Sequence, residues 1–170
     1  NNYHNEGLDF DAEVGRFAQA LGKPRSALPR VEILPSGVPQ ERLPALFKAV
    51  DAFVLPSRGE GWGRPHVEAM AMGLPIIATN WSGPTEFMRP GNSYPVGLEL
   101  GEDGRGDGLV EVAEGPFKGH RWAEPSHAAL RAAMRAVVSD PAAAAAKGAA
   151  ARRTMVEEFS PAKLAADVVG

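Results

Sequence analysis

The chain has no cysteine. Disulfides and thiolate-bound metals are therefore excluded, and the absence fits a reducing, cytoplasmic setting. No stretch reaches the roughly 18 apolar residues that a membrane span needs, and no signal-peptide pattern is visible. Neither sign of charge dominates: 18 Lys and Arg face 21 Asp and Glu, for a net charge of -3. A general nucleic-acid or anionic-membrane surface is not expected on that balance. His4, His66, His120 and His127 are scattered, so no metal site is expected. What remains is an ordinary globular composition, 170 residues with 44% hydrophobic and 23% charged, sufficient for one domain or a large part of one. The first residue is Asn1 rather than Met, which reads as part of a longer protein.

Short apolar runs alternate with helical periodicity along the chain. Residues 1–8 are polar and irregular. Phe10, Val14, Phe17, Ala18 and Leu21 recur at helical spacing, and Gly22 and Pro24 end that helix. VEIL (31–34) reads as a buried strand entering the turn PSGVP. Residues 40–49 form a helix with Leu43, Leu46 and Phe47 on one face. AFVL (52–55) and IIAT (76–79) read as buried strands, with a helix between them that Gly73 stops. WSGPTEFM is a loop with a short helix, and SYPVGLEL (93–100) is a strand. Residues 101–120 are rich in glycine and charge and read as a surface insertion, a partly mobile hairpin. Three helices follow from Glu124. The first has Pro125 in its first turn and Leu130, Met134 and Val137 on one face. The others start at Asp140-Pro141 and Ser160-Pro161, and the alanine run 142–146 is helix filler.

This alternation predicts an α/β protein, a Rossmann-like parallel sheet with helices on both faces followed by a helical tail. Residues 1–123 are assigned to the sheet domain and 124–170 to helices packing on it. Ligands bind outside the carboxyl ends of the strands in such sheets. GEGWGRPHVE (59–68) stands there, between the strand AFVL and a helix. Gly59, Gly61 and Gly63 allow a sharp turn and close approach of a ligand. The helix start beyond them offers unpaired N–H groups and partial positive charge, suited to a phosphate or diphosphate. Arg64 can add a charge-assisted bond. A plain strand-to-helix connection is the competing reading.

Glu60 and Glu68 flank this turn. Glu68 lies about one and a half turns into the helix and leans back toward its start. A carboxylate beside a diphosphate needs other donors, and sugar hydroxyls are such donors. The pair thus suggests a ligand carrying both phosphates and sugars. Read singly, Glu60 is equally a helix-start acid favoured by the dipole, and Glu68 a residue on a solvated face.

The stretch DAFVLPSRGEGWGRPHVEAMAMGLPIIATNWSGPTEF resembles the signature of retaining GT-B glycosyltransferases, the large family 4, or group 1, of nucleotide-sugar enzymes. Its elements are Glu60, seven intervening residues, Glu68, then Ala69-Met70-Ala71-Met72-Gly73-Leu74-Pro75. Pro56-Ser57 upstream and Gly83-Pro84-Thr85-Glu86 downstream also fit. The resemblance is close over residues 31–86 and looser over the tail. It implies the C-terminal, donor-binding half of a GT-B fold. Glu60 would be the catalytic residue facing the donor sugar near the reacting carbon, and Glu68 would accept hydrogen bonds from the ribose. The amides of Gly61, Trp62, Gly63 and Arg64 would hold the diphosphate. The turn Ser36-Gly37-Val38 would lie near the base, or is a plain turn.

The implied reaction moves a sugar from a nucleotide-diphosphate donor to an acceptor hydroxyl with retention, without a metal or other cofactor. Family members usually add an Arg and a Lys from an earlier segment, which is not seen here. The chain is therefore expected to start after one or two strands of the nucleotide-binding half, to lack its N-terminal partner domain, and to be inactive alone. An exposed sheet edge would allow homo-oligomers. A non-catalytic nucleotide-sugar-binding or interaction module is the alternative from another class. A glycoside hydrolase, the other user of paired carboxylates, has no role for a phosphate cradle. His66 lies inside the motif, where it either touches the ligand or is an ordinary satisfied or solvent-facing histidine. Trp62, Trp81 and Trp122 read mostly as core caps, and the arginines of 131–138 as a solvated face.

Overall fold

The computed structural model describes residues 9–34, 38–101 and 104–169. The chain divides into two compact units, residues 1–43 and 44–170.

In the first unit, helix α1 (Phe10–Ala20) is capped by Asp9, whose carboxylate accepts from the amides of Asp11 and Ala12. Gly22, with φ 63°, ends it as expected. VEIL corrects the expectation of a buried strand: residues 31–34 belong to no strand, and Val31, Ile33 and Leu34 are exposed. A run this short becomes a strand only where a neighbour takes up its backbone hydrogen bonds, and among the described residues none pairs with it. Helix α2 (Leu43–Lys48) follows a 3-10 turn at Gln40–Arg42 and crosses into the second unit.

The second unit is built on a parallel sheet of β1 (Phe53–Leu55), β2 (Ile76–Thr79) and β3 (Tyr94–Val96) in that order. β2 is central and buried along its whole length, so it reads as an unbroken apolar run. Alternation sorts its side chains. Ile76 and Ala78 join Ala69, Met70, Phe87, Ala151 and Met155 on one face. Ile77 joins Val96, Val137 and Ala144 on the other. Helices thus cover both faces: α3 (Arg64–Ala71) and α5 (Pro141–Glu158) on the first, α4 (His127–Ser139) on the second.

The glycine-rich segment is a hairpin, with β4 (Leu109–Glu111) antiparallel to β5 (Arg121–Ala123). α4 departs from its sequence pattern in two details. Pro125 precedes the N-cap Ser126 and bridges to Leu98 instead of entering the helix. Met134 is exposed, and Ala129, Leu130 and Ala133 pack beside Val137; small alanines let the helix lie close to the sheet.

α5 runs past α3 at backbone contact. A Cβ on Gly148 would stand 2.1 Å from the Gly73 carbonyl oxygen, so the alanine-rich sequence serves close approach as well as helix propensity. Polar bolts fix α5 to the loop before β3. Arg89 donates to both carboxylate oxygens of Glu158, at 3.2 and 2.7 Å. Buried Asn92 donates to Thr154 and to the Phe87 carbonyl. The last helix, α6 (Pro161–Val169), follows Ser160. Among the described residues no helix is long and apolar enough to cross a membrane.

Candidate active site at the carboxyl edge of the sheet

Gly63 adopts φ 91°, the left-handed region, and turns the chain from the loop after β1 into α3. A Cβ there would lie 2.8 Å from Nδ1 of His66 and 3.2 Å from Cγ of Pro84. Glycine is thus required at 63 by conformation and by space. The start of α3 also differs from those of the four helices that carry a side-chain cap. α1, α4, α5 and α6 each begin with a side chain accepting from a first-turn amide, from Asp9, Ser126, Asp140 and Ser160 respectively. α3 begins with glycine and no side-chain cap, and Pro65 removes one donor. Among the described residues, the amides of Gly61, Trp62, Gly63 and Arg64 donate to no other protein group. Four open donors at a helix start make a ready anion cradle.

The turn rests on the loop that follows β2. Ser82 Oγ accepts from the Glu60 amide at 3.0 Å and donates to the Glu60 carbonyl at 3.1 Å. The Gly83 amide donates to that same carbonyl at 3.1 Å. A Cβ on Gly83 would come within 2.5 Å of the Gly61 carbonyl oxygen, so the two loops touch through backbone. Ser82 itself has φ 54° and ψ -146°, a conformation nearly reserved for glycine. Such a residue costs roughly 1–3 kcal/mol and persists where its surroundings over-determine it. Here Thr85 supplies the counterweight, its amide and hydroxyl both donating to the Ser82 carbonyl.

The predicted residues gather as follows. Glu60 and Gly61–Arg64 form the turn. Glu68, one turn into α3, is about one-third exposed and pairs with the far more exposed Arg64 at 3.4 Å. Glu60 is half-buried, its backbone held by Ser82. The Trp62 ring meets Phe87 and Phe159 edge-on, at 5.3 and 5.6 Å between centroids, and so caps the core as expected of a loop tryptophan. Its side chain anchors the turn and leaves its amide outward. Val38 is half-buried in the first unit; Ser36 and Gly37 lie outside the described residues. Beside the turn, Gly61, Trp62, Ser82, Thr85, Glu86 and Phe159 line much of a cavity of about 460 Å³.

The sequence reading left one residue open and missed two others. His66 has no exposed surface and lies directly under the turn. Burial holds its imidazole below the usual histidine range, against the favourable carbonyl of Leu55 and the charge of Glu60. Ser82 was hidden because its role depends on an unusual backbone angle; the Ser-Gly-Pro triplet after a buried strand is its one sequence signal. Arg58, two residues before Glu60, pairs with Glu124 at 2.8 Å, and its carbonyl accepts from the Ala123 amide. The hairpin is therefore tied to the site loop.

A parallel α/β sheet with an uncapped, glycine-turned helix start at its carboxyl edge defines a Rossmann-like domain whose turn has the open amides an anion would need. Residues 28–98, which include both glutamates, the turn and the Ser82 loop, match the family described as "Glycosyl transferases group 1". Among curated proteins, the chain is 39% identical over 61 residues to the lipopolysaccharide core biosynthesis mannosyltransferase LpsB of Rhizobium meliloti, covering 36% of this chain and 17% of that protein. It is 34% identical over 134 residues to a D-inositol 3-phosphate glycosyltransferase of Rhodococcus opacus, covering 77% and 23% respectively. A glycogen synthase of Mycobacterium tuberculosis is 32% identical over 115 residues, covering 68% and 22%. The chain thus spans less than a quarter of the length of each of these relatives.

Proposed function

We propose that this chain is the donor-binding part of a retaining GT-B glycosyltransferase of group 1, family 4. The observation that carries the reading is the set of open amides from Gly61 to Arg64, at the carboxyl edge of the sheet and bracketed by two carboxylates. The diphosphate of a nucleotide sugar docks on those amides, with Arg64 swinging from Glu68 to add a charge. Glu68, released from Arg64, accepts from the ribose hydroxyls, and Glu60 faces the donor sugar near its anomeric carbon. As the glycosidic bond to the diphosphate breaks, negative charge builds on the leaving group. Amides already oriented toward it stabilise that charge without reorganising, and one such donor is worth about 2.7–4 kcal/mol in comparable sites. The relatives' names span mannosyl transfer, inositol phosphate glycosylation and glycogen synthesis, so the donor sugar and acceptor are set outside the shared turn. The acceptor half is supplied by a partner domain, and β1, an edge strand among the described residues, offers a place for a second copy to pair.

Calorimetry with UDP and GDP on the wild-type chain and on Glu68→Ala tests the reading. Weak binding to the wild type and weaker binding to the variant are expected. Equal affinity would remove Glu68 from the ribose role, and no binding of either nucleotide to the wild type would remove the donor site itself.

A further inference from the structure

We propose that His66 is a positioning residue of the same turn, whose buried imidazole takes up one proton from solvent when a nucleotide diphosphate docks above it. The inference rests on the donor-binding reading. Its ground is geometric. The ring has no exposed surface. Nε2 stands 3.4 Å from the Leu55 carbonyl oxygen at the end of β1, which requires the proton on Nε2. Nδ1 then carries a lone pair, and it is buried without a hydrogen-bond partner. Buried polar atoms left unpaired are few in native proteins, and each calls for an explanation. This one lies directly beneath Gly63: a Cβ added at 63 would be 2.8 Å from it. The open amides of Gly63 and its neighbours lie on that same turn.

The surroundings favour a proton arriving with the ligand. Phe53 packs on the ring in a T-shaped arrangement, 5.7 Å between centroids. The carbonyl of Leu55 and the backbone of Gly63 both favour the protonated form, as does Glu60, the charged group acting on the ring; burial outweighs them and holds the free protein neutral. A dianion seated on the Gly63 and Arg64 amides stands one backbone thickness away. Opposite charges at about 4–6 Å raise a histidine's proton affinity by about 1–3 pKa units, which tips that balance. The imidazolium keeps its Nε2 donation to the Leu55 carbonyl, and its Nδ1–H lies beside the Gly63 backbone, which favours the protonated form. It adds positive charge beneath the leaving group without any side chain having to move. Binding is consequently tighter at low pH and weakens as pH rises through the bound-state value.

Calorimetry with UDP-glucose and GDP-mannose tests this, because their bridged phosphates have no group titrating near neutrality. Wild type and His66→Gln, whose amide keeps the donation to Leu55, are compared in two buffers of different ionisation enthalpy. The wild type is expected to take up as much as one proton per nucleotide sugar bound. Its affinity should fall by about tenfold for each unit of raised pKa as pH rises from about 6 to about 8. The variant should bind without proton exchange and with a flat profile. Wild-type binding without proton uptake, on the same profile as His66→Gln, overturns this inference and leaves donor binding standing. No binding of either nucleotide sugar to the wild type overturns both. Should the variant not fold, nitrogen-detected imidazole spectra of the wild type decide. His66 must move from the neutral Nε2–H pattern to the imidazolium pattern on saturation, and an unmoved signal overturns the inference.

Discussion

Two cavities of nearly equal volume lie at opposite ends of one sheet, about 460 Å³ at the carboxyl edge and about 450 Å³ at the amino edge. The first is walled by the turn at Gly61-Trp62 and the loop at Ser82-Gly83, the second by Gly73, Leu74, Pro75, Val137 and Ala144. Helix α3 runs between these ends and shows why they differ. Its start is left open. Its end is closed by a Schellman motif, in which the Gly73 amide donates to Met70 and the Leu74 amide to Ala69, and Arg152 donates to the Ala71 carbonyl. Leu74 and Ala69 share one core cluster, completing the motif's apolar contact. Cavity size therefore says little about function here. The distribution of satisfied and unsatisfied backbone groups says more.

That contrast can be broken most forcefully at Gly63. Gly63→Ala forces a left-handed non-glycine residue, costing about 1–3 kcal/mol, and drives a methyl into His66, costing about 1–3 kcal/mol more. A lower melting temperature together with lost nucleotide binding is expected in thermal and calorimetric assays. Gly148→Ala attacks the other end. Its methyl meets the Gly73 carbonyl, so a loss of about 1–3 kcal/mol is expected in denaturant titration, with nucleotide affinity unchanged in the folded protein. A loss of affinity as large as that of Gly63→Ala would erase the distinction between the ends.

Glu68→Ala should separate binding from stability. Nucleotide affinity is expected to drop by about tenfold, as for one charged hydrogen bond. Stability should change by less than about 1 kcal/mol, because the Arg64 pair is largely exposed. The pH dependence sharpens the picture at the carboxyl edge. The folded protein holds the His66 pKa below its ordinary 6.5, so the unfolded chain binds more protons near and below that pH. Stability should therefore rise with pH through this window and be lost as pH falls below about 6.5. His66→Gln should remove that part of the slope, as read by urea midpoints across pH. The smallest effect is expected at Val138 on the rim of the amino-edge cavity. It is 79% exposed, and Val138→Ser should stay within about 0.5 kcal/mol.

Much of this was legible beforehand for identifiable reasons. β2 announced itself as IIAT because a strand buried on both faces has no polar alternation to confuse. α3 was bounded by glycines at Gly63 and Gly73, and both prove to have positive φ. VEIL misled because an apolar run states a preference for burial and not the presence of a partner strand. Met134 misled because the apolar stripe of α4 is drawn by alanines, whose size mattered more than their hydrophobicity.

Composition, periodicity and the spacing of Glu60, the glycines and Glu68 determined the α/β class, the place of the turn and the residues around it. These are local properties, read within a few turns of chain. The tertiary structure alone decided that Ser82, twenty-two residues on from Glu60, would clamp the turn, and that His66 would be sealed beneath it with one nitrogen unpartnered. It also decided that Arg58 would be held by the hairpin. Each of those depends on parallel strands bringing distant loops to one edge, where backbone groups left free by one segment meet whatever the next supplies.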